Sequence, residues 1–266
     1  MERKRKEMEK GKSELRLAME ELRLCGSRDG AEEEEEVQVQ QVKVQEQHKS
    51  STMDLLYVSK QLIHVLDEIG PTLLVLRQDI QQNVQRLQDL HEKDCSKYAC
   101  LTAIVTEEME QGTAKKTKSC TRAIIWLSRS INFSKYLLER LLETAESSLE
   151  EIVEEAYANT LKPWHGWISS AAYKVALKLI PEREFFVALL MGNCQDLEDL
   201  AEDARMLAYA VQPLLQEIDA ISVRASNSTS LFAELVEAAI KDKNLLLMQS
   251  LYDLQAKHNL DKMKSS

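Results

Sequence analysis

Glycine and proline are scarce in this chain, with seven and four among 266 residues. Folds made of many short strands need such residues at each tight turn, so their scarcity points to long helices joined by short loops. From Met53 onward the apolar pattern agrees. Leu55, Val58, Leu62, Val65 and Leu66 recur at helical spacing, and Gly70–Pro71 breaks the run. A second helix carries Leu73, Leu76, Ile80, Val84, Leu87 and Leu90, and a third spans Leu101–Met109. Gly112–Lys118 reads as a basic loop before a strongly amphipathic fourth helix, Ser119–Leu142. Ser148 with Glu151 forms a capping box for Ile152–Leu161. Pro163 to Trp167 marks a junction, after which Ile168–Leu179 resumes as helix and ends at Ile180–Pro181. Phe185–Met191 and Leu197–Ala220 are helical in pattern, Ser222–Ser230 reads as loop, and Leu231–Ala256 is helical again before the tail Asn259–Ser266. The expectation is an all-α fold of about eight helices, packed as a bundle or sandwich, in one domain over 51–266.

Residues 1–50 differ from the rest. Glu2–Arg23 can form a charged helix, but Gly26 and Gly30 follow, then the acidic run Glu32–Glu36 and a polar Val/Gln stretch. A segment of that composition buries too little to order itself. It is expected to be a mobile charged extension, with a short regulatory or partner-binding helix within Ser13–Leu24 as the alternative.

A net charge of −10 speaks against a nucleic-acid binder, which needs a clustered basic face. Five cysteines, at 25, 95, 100, 120 and 194, form no even framework, and Met1–Lys12 has no apolar stretch of the kind a signal peptide requires. No run approaches the length of a transmembrane helix. A reducing, cytoplasmic setting is the simplest expectation. His91, Cys95 and Cys100 lie close together, but their spacing fits no zinc signature, so neither metal nor cofactor is expected.

Phosphate-loop, dinucleotide, metalloprotease and nucleophile-elbow signatures are missing from the sequence. Three polar or aromatic clusters remain. Asp79, Asn83 and Arg86 are spaced i, i+4, i+7 and share one helix face, which taken alone is a solvated polar stripe. Arg122, Trp126 and Arg129 share a face by the same spacing: either a core indole covered by arginine stems, or a flat platform for a sugar or another polar group. Trp164, His165, Gly166 and Trp167 form an unusual junction; taken alone, the tryptophan pair closes the core and His165 caps a helix.

Taken together and in this order, the clusters resemble the glycolipid transfer protein family. The resemblance runs from about Leu55 to Leu190 and includes Asp-x-x-x-Asn at 79–83, Trp126 in its Arg/Ile/Leu helix, and Trp-His-Gly-Trp at 164–167. Leu161–Pro181 is especially similar to plant members, close to the accelerated-cell-death-type sphingolipid transfer homologues. The resemblance implies a two-layer all-α sandwich with a headgroup site at the surface and an apolar pocket for ceramide chains. It implies that Asp79 binds the ceramide amide and sugar hydroxyls, and that Asn83 hydrogen-bonds the sugar. Arg86 stands where the family commonly has lysine and keeps the charge with changed geometry. Trp126 would stack under the first sugar, His165 would hydrogen-bond the ceramide carbonyl, and Trp167 would touch the membrane. Ceramide-1-phosphate carriers of the family place lysine at the position of Asn83 and arginine at that of Trp126, so a sugar headgroup is favoured. Arg122 matches a phosphate-binding arginine of those relatives and keeps the phosphate reading open.

The expected activity is therefore non-enzymatic transfer of a single glycosphingolipid between membranes, by a monomer that docks transiently on the membrane and binds no nucleic acid. Two other classes stand beside it: a lipid sensor or scaffold acting through a protein partner, and a hydrolase using His165 with Asp79, for which no nucleophile stands in a recognisable setting.

Overall fold

The computed structural model describes residues 11–27, 52–144, 146–194 and 196–227. Among them are nine α-helices, two 3-10 turns and no strand. In chain order the helices are α1 (Glu14–Ser27), α2 (Thr52–Ile69), α3 (Leu74–His91), α4 (Leu101–Glu110), α5 (Cys120–Glu143), α6 (Leu149–Thr160), α7 (Trp167–Leu177), α8 (Arg183–Met191) and α9 (Leu197–Asn227).

The boundaries have local causes. Gly70 adopts φ 96°, a conformation that favours glycine, and Pro71 then opens the 3-10 turn Pro71–Leu73 that redirects the chain into α3. The capping box at Ser148 and Glu151 forms as the sequence predicts: each side chain accepts the other residue's backbone N–H, at 3.2 and 2.9 Å. At the start of α5 the Ser119 hydroxyl accepts the Arg122 N–H. Glu108, reaching over from α4, accepts the N–H groups of Cys120 and Thr121 at 2.8 Å and the Thr121 hydroxyl at 2.6 Å. A carboxylate on these exposed donors also complements the helix dipole. Both anchors fix the rotation of α5, and so the direction in which Arg122 and Trp126 project.

Helix α5, about 36 Å long for its 24 residues, packs against α2, α3, α4, α6 and α9. Two apolar clusters share it. One joins α2, α3, α4 and α9 around Leu55, Leu87, Leu101, Ile124, Leu127 and Ile218. The other joins α1, α6, α7, α8 and α9 around Leu141, Ile152, Phe186, Leu190 and Leu200. This is the all-α, two-layer arrangement expected.

Two expectations are corrected. Part of the N-terminal segment is ordered onto the body: Leu15, Ala18 and Met19 fall at i, i+3 and i+4, and that stripe is buried against α2, α8 and α9. Gly26 does not interrupt this helix, which runs to Ser27. At the other end, α9 passes through Ser222 to Asn227, where a loop was expected. The acidic run Glu32–Glu36, the predicted helix Leu231–Ala256 and the tail from Asn259 lie outside the described residues.

Candidate functional site

A cavity of about 330 Å³ lies between the two clusters. Its walls are almost wholly apolar, with Val58, Leu62, Ile80, Ile131, Leu138 and Val211 among them. Asp79 and His165 also line it.

The polar face of α3 continues past Asp79. Asn83 is 8% exposed; its side-chain N–H donates to the Asp79 carbonyl at 2.9 Å, and its Oδ1 accepts from Arg86 Nη1 at 3.1 Å. Burial lowers the Arg86 pKa, and the neighbouring Arg122 guanidinium lowers it further, against the pull of Asp79 and Glu108. Arg122 is itself buried. Two guanidiniums, Arg86 bonded to Asn83 and the buried Arg122, therefore lie close to one another.

Trp126 is 4% exposed. The Arg129 guanidinium lies 4.9 Å from its ring and 4.0 Å from the ring of Trp164, so this cation is held between two indoles. Arg129 is only 9% exposed, and its Nη1 has no hydrogen-bond partner among the described residues. Burial lowers its pKa to about 10, opposed by the attraction of Asp219. At neutral pH it is still a cation.

His165 follows the 3-10 turn Lys162–Trp164 that Pro163 initiates. Its ring lies 5.9 Å from Trp126 and 5.4 Å from Tyr157, and its Nδ1 is 3.3 Å from the Tyr157 hydroxyl. Tyr157 stacks on Tyr173 at 3.5 Å and donates to Ser170. The Tyr173 hydroxyl is buried without a hydrogen-bond partner among the described residues, and burial pushes its pKa well above the ordinary range. Trp167 does not join this group: it opens α7 with 76% of its surface exposed.

Of the residues singled out from sequence, Asp79 and His165 line the cavity, Asn83 and Arg86 bond to each other farther along the Asp79 helix, Arg122 lies within electrostatic reach of Arg86, Trp126 packs against the His165 ring, and Trp167 stands apart, exposed at the start of α7. The sequence reading placed Arg129 on the Trp126 face but gave it no site role. Tyr157 and Tyr173 carried no signal beyond helical periodicity.

A helical shell around an apolar cavity, with Asp79 and His165 on its wall, defines a lipid-binding protein. The family model for glycolipid transfer protein (GLTP) matches residues 50–192, and the chain belongs to that family. It is 41% identical to glycolipid transfer protein 2 of Arabidopsis thaliana over 219 residues, which is 82% of this chain and 93% of the relative. Among solved structures it resembles the GLTP-fold of FAPP2, described as selecting simple glycosphingolipids, with a TM-score of 0.61 and 26% identity over 68% of this chain and 88% of that one. Human ceramide-1-phosphate transfer protein bound to its lipid shares the fold, with a TM-score of 0.61 at 18% identity over 68% of this chain and 90% of that one.

Proposed function

We propose that this protein carries one glycosphingolipid at a time between membranes, its sugar at the Asp79–Trp126–His165 cluster and its ceramide chains in the apolar cavity. The observation that carries this reading is the continuity of the cavity wall with the Asp79 and His165 side chains. Burial of an acyl chain is worth about 0.8 kcal/mol per methylene, so a chain of about 16 carbons resists leaving a bilayer by roughly 12 kcal/mol. A carrier must offer equivalent apolar surface, and it needs no bond-making step. Specificity then falls to a few fixed polar groups. Asp79 would accept from the amide and sugar hydroxyls, Asn83 and Arg86 would bond the sugar, Trp126 would support its face, and His165 would meet the ceramide carbonyl.

Docking is assigned to the exposed Trp167, with Trp164 beside it and the exposed Lys162 and Lys174 nearby. Val175 and Leu179, exposed on and just beyond α7, extend that apolar surface and also line the cavity. Aromatic and basic residues together suit the headgroup region of a bilayer. Among the described residues no helix is long and apolar enough to cross a membrane. The free thiols at Cys95, Cys100, Cys120 and Cys194 support a reducing, cytoplasmic place of work.

A phosphate headgroup is the second reading. Arg86 bonds Asn83 and lies within electrostatic reach of Arg122, Arg129 adds a cation against Trp126, and guanidiniums pair well with phosphate oxygens. Replacement of Asp79 by valine tests both readings of the cluster. Two charge-assisted hydrogen bonds are worth enough that vesicle-to-vesicle transfer should fall at least about a hundredfold. A folded Asp79→Val protein with normal transfer would remove this cluster as the headgroup site.

A further inference from the structure

The family match ends at residue 192 and begins at residue 50, yet the cavity wall includes α1, which precedes that span. Leu15 and Ala18 of α1 face the cavity, and Leu15 belongs to the same apolar cluster as Leu137, Leu138 and Leu141. Those residues lie at the far end of α5 from Trp126, about 18 Å away for the twelve residue steps from Trp126 to Leu138. Helix α1 therefore stands away from the Trp126 end.

A specific set of contacts holds it there. Ser13 is fully buried; its hydroxyl donates to Asp203 Oδ2 at 2.6 Å and accepts the Arg16 N–H at 3.0 Å, capping α1. Arg16 Nη2 pairs with Asp203 Oδ1 at 2.5 Å. Asp203, in α9, is 3% exposed, so these contacts stand in place of water around its carboxylate. The Asn193 N–H donates to the Lys12 carbonyl at 3.2 Å, tying the start of α1 to the end of α8. Next to Leu15 in sequence the wall has a polar rim: Glu14 Oε2 lies 3.8 Å from His64 Nε2, and Gln61 also lines the cavity. An apolar chain gains nothing by advancing into that rim.

We infer that α1, latched to α9 by Ser13, Arg16 and Asp203, is the end wall of the lipid cavity and sets the length of acyl chain the protein carries, with Leu15 and Ala18 as the residues the chain terminus meets. This rests on the carrier reading above. Ala18→Trp would shorten the cavity, whereas Asp203→Ala would release the wall.

The test uses the full chain and two glycosylceramides that differ only in acyl length, one short and one very long, transferred between phosphatidylcholine vesicles. Ala18→Trp should lower the long-to-short transfer ratio by at least about tenfold, the effect of leaving two methylenes outside the cavity. Asp203→Ala should raise that ratio and speed tryptic cleavage after Arg16. An unchanged ratio in Ala18→Trp overturns the inference. So does Asp203→Ala with faster cleavage but an unchanged ratio, and this second arm decides the matter if the tryptophan variant does not fold. Slow cleavage in Asp203→Ala overturns the latch. If the wild-type protein moves neither lipid, the carrier reading itself has failed, which is a different result from any of these.

Discussion

At one end of the cavity stand Asp79 and His165, with Asn83 and Arg86 hydrogen-bonded along the Asp79 helix and Trp126 against the His165 ring. At the other, Leu137, Leu138 and the α1 stripe of Leu15 and Ala18 form a plain apolar wall. The polar end is directional. A ligand that satisfies its donors and acceptors is held, and one that does not leaves buried groups unpaired at a cost of about 1–3 kcal/mol each. The apolar end is graded, because each methylene adds a similar increment wherever it lies. On the carrier reading, the first end would choose the headgroup and the second the chain length.

Trp126 gives the sharpest test of how far the polar end is also structural. It is buried between Arg129 and His165, so Trp126→Ala should cost about 3–5 kcal/mol in denaturant unfolding. A loss under about 1 kcal/mol would mean the indole is a surface platform and not part of the core.

Arg129 should behave in the opposite sense. Its folded pKa of about 10 lies below its usual value, so the fold disfavours the charged form. That cost is fully present below pH 10 and is relieved only as pH rises from there toward the unfolded value. Arg129→Met keeps an unbranched stem between Trp126 and Trp164 and removes the charge. It should raise lipid-free stability at neutral pH by about 1–2 kcal/mol, read from the unfolding midpoint. A fall in the midpoint would show that the two indoles repay the burial of this cation.

The smallest effect is expected outside the cavity. Trp167→Ala should leave stability within about 0.5 kcal/mol, since the ring is exposed. Binding to vesicles should weaken about tenfold, the contribution of one lost apolar side chain in the bilayer interface. Equal vesicle binding by both proteins would move the docking surface away from α7.

Much of the helical framework was legible because long amphipathic segments repeat the same spacing, as in Leu55 to Leu66 or along α5. Helix α1 was legible only as the alternative to a mobile extension, because its three-residue stripe sits in a strongly charged stretch, and its decisive contact joins Ser13 to Asp203, 190 residues away. The loop expected from Ser222 is polar in composition, but the preceding buried turns of α9, through Leu214, Ile218 and Ile221, carry the helix onward to Asn227. In the site, spacing placed Arg129 on the Trp126 face. It could not reveal that Trp164, from the distant turn before α7, closes on the other side of the same cation. The cavity itself had no sequence signature, because wall residues and core residues are the same apolar types.

The central claim is that the polar end of the cavity selects a sugar. The most direct measurement is vesicle-to-vesicle transfer of fluorescent glucosyl- or galactosylceramide against ceramide-1-phosphate, in the same vesicles and with the same acyl chain. The account predicts faster transfer of the glycosylated lipid, with Asn83 and Trp126 defining the site. Faster transfer of the phosphorylated lipid would contradict it and assign headgroup choice to Arg86, Arg122 and Arg129.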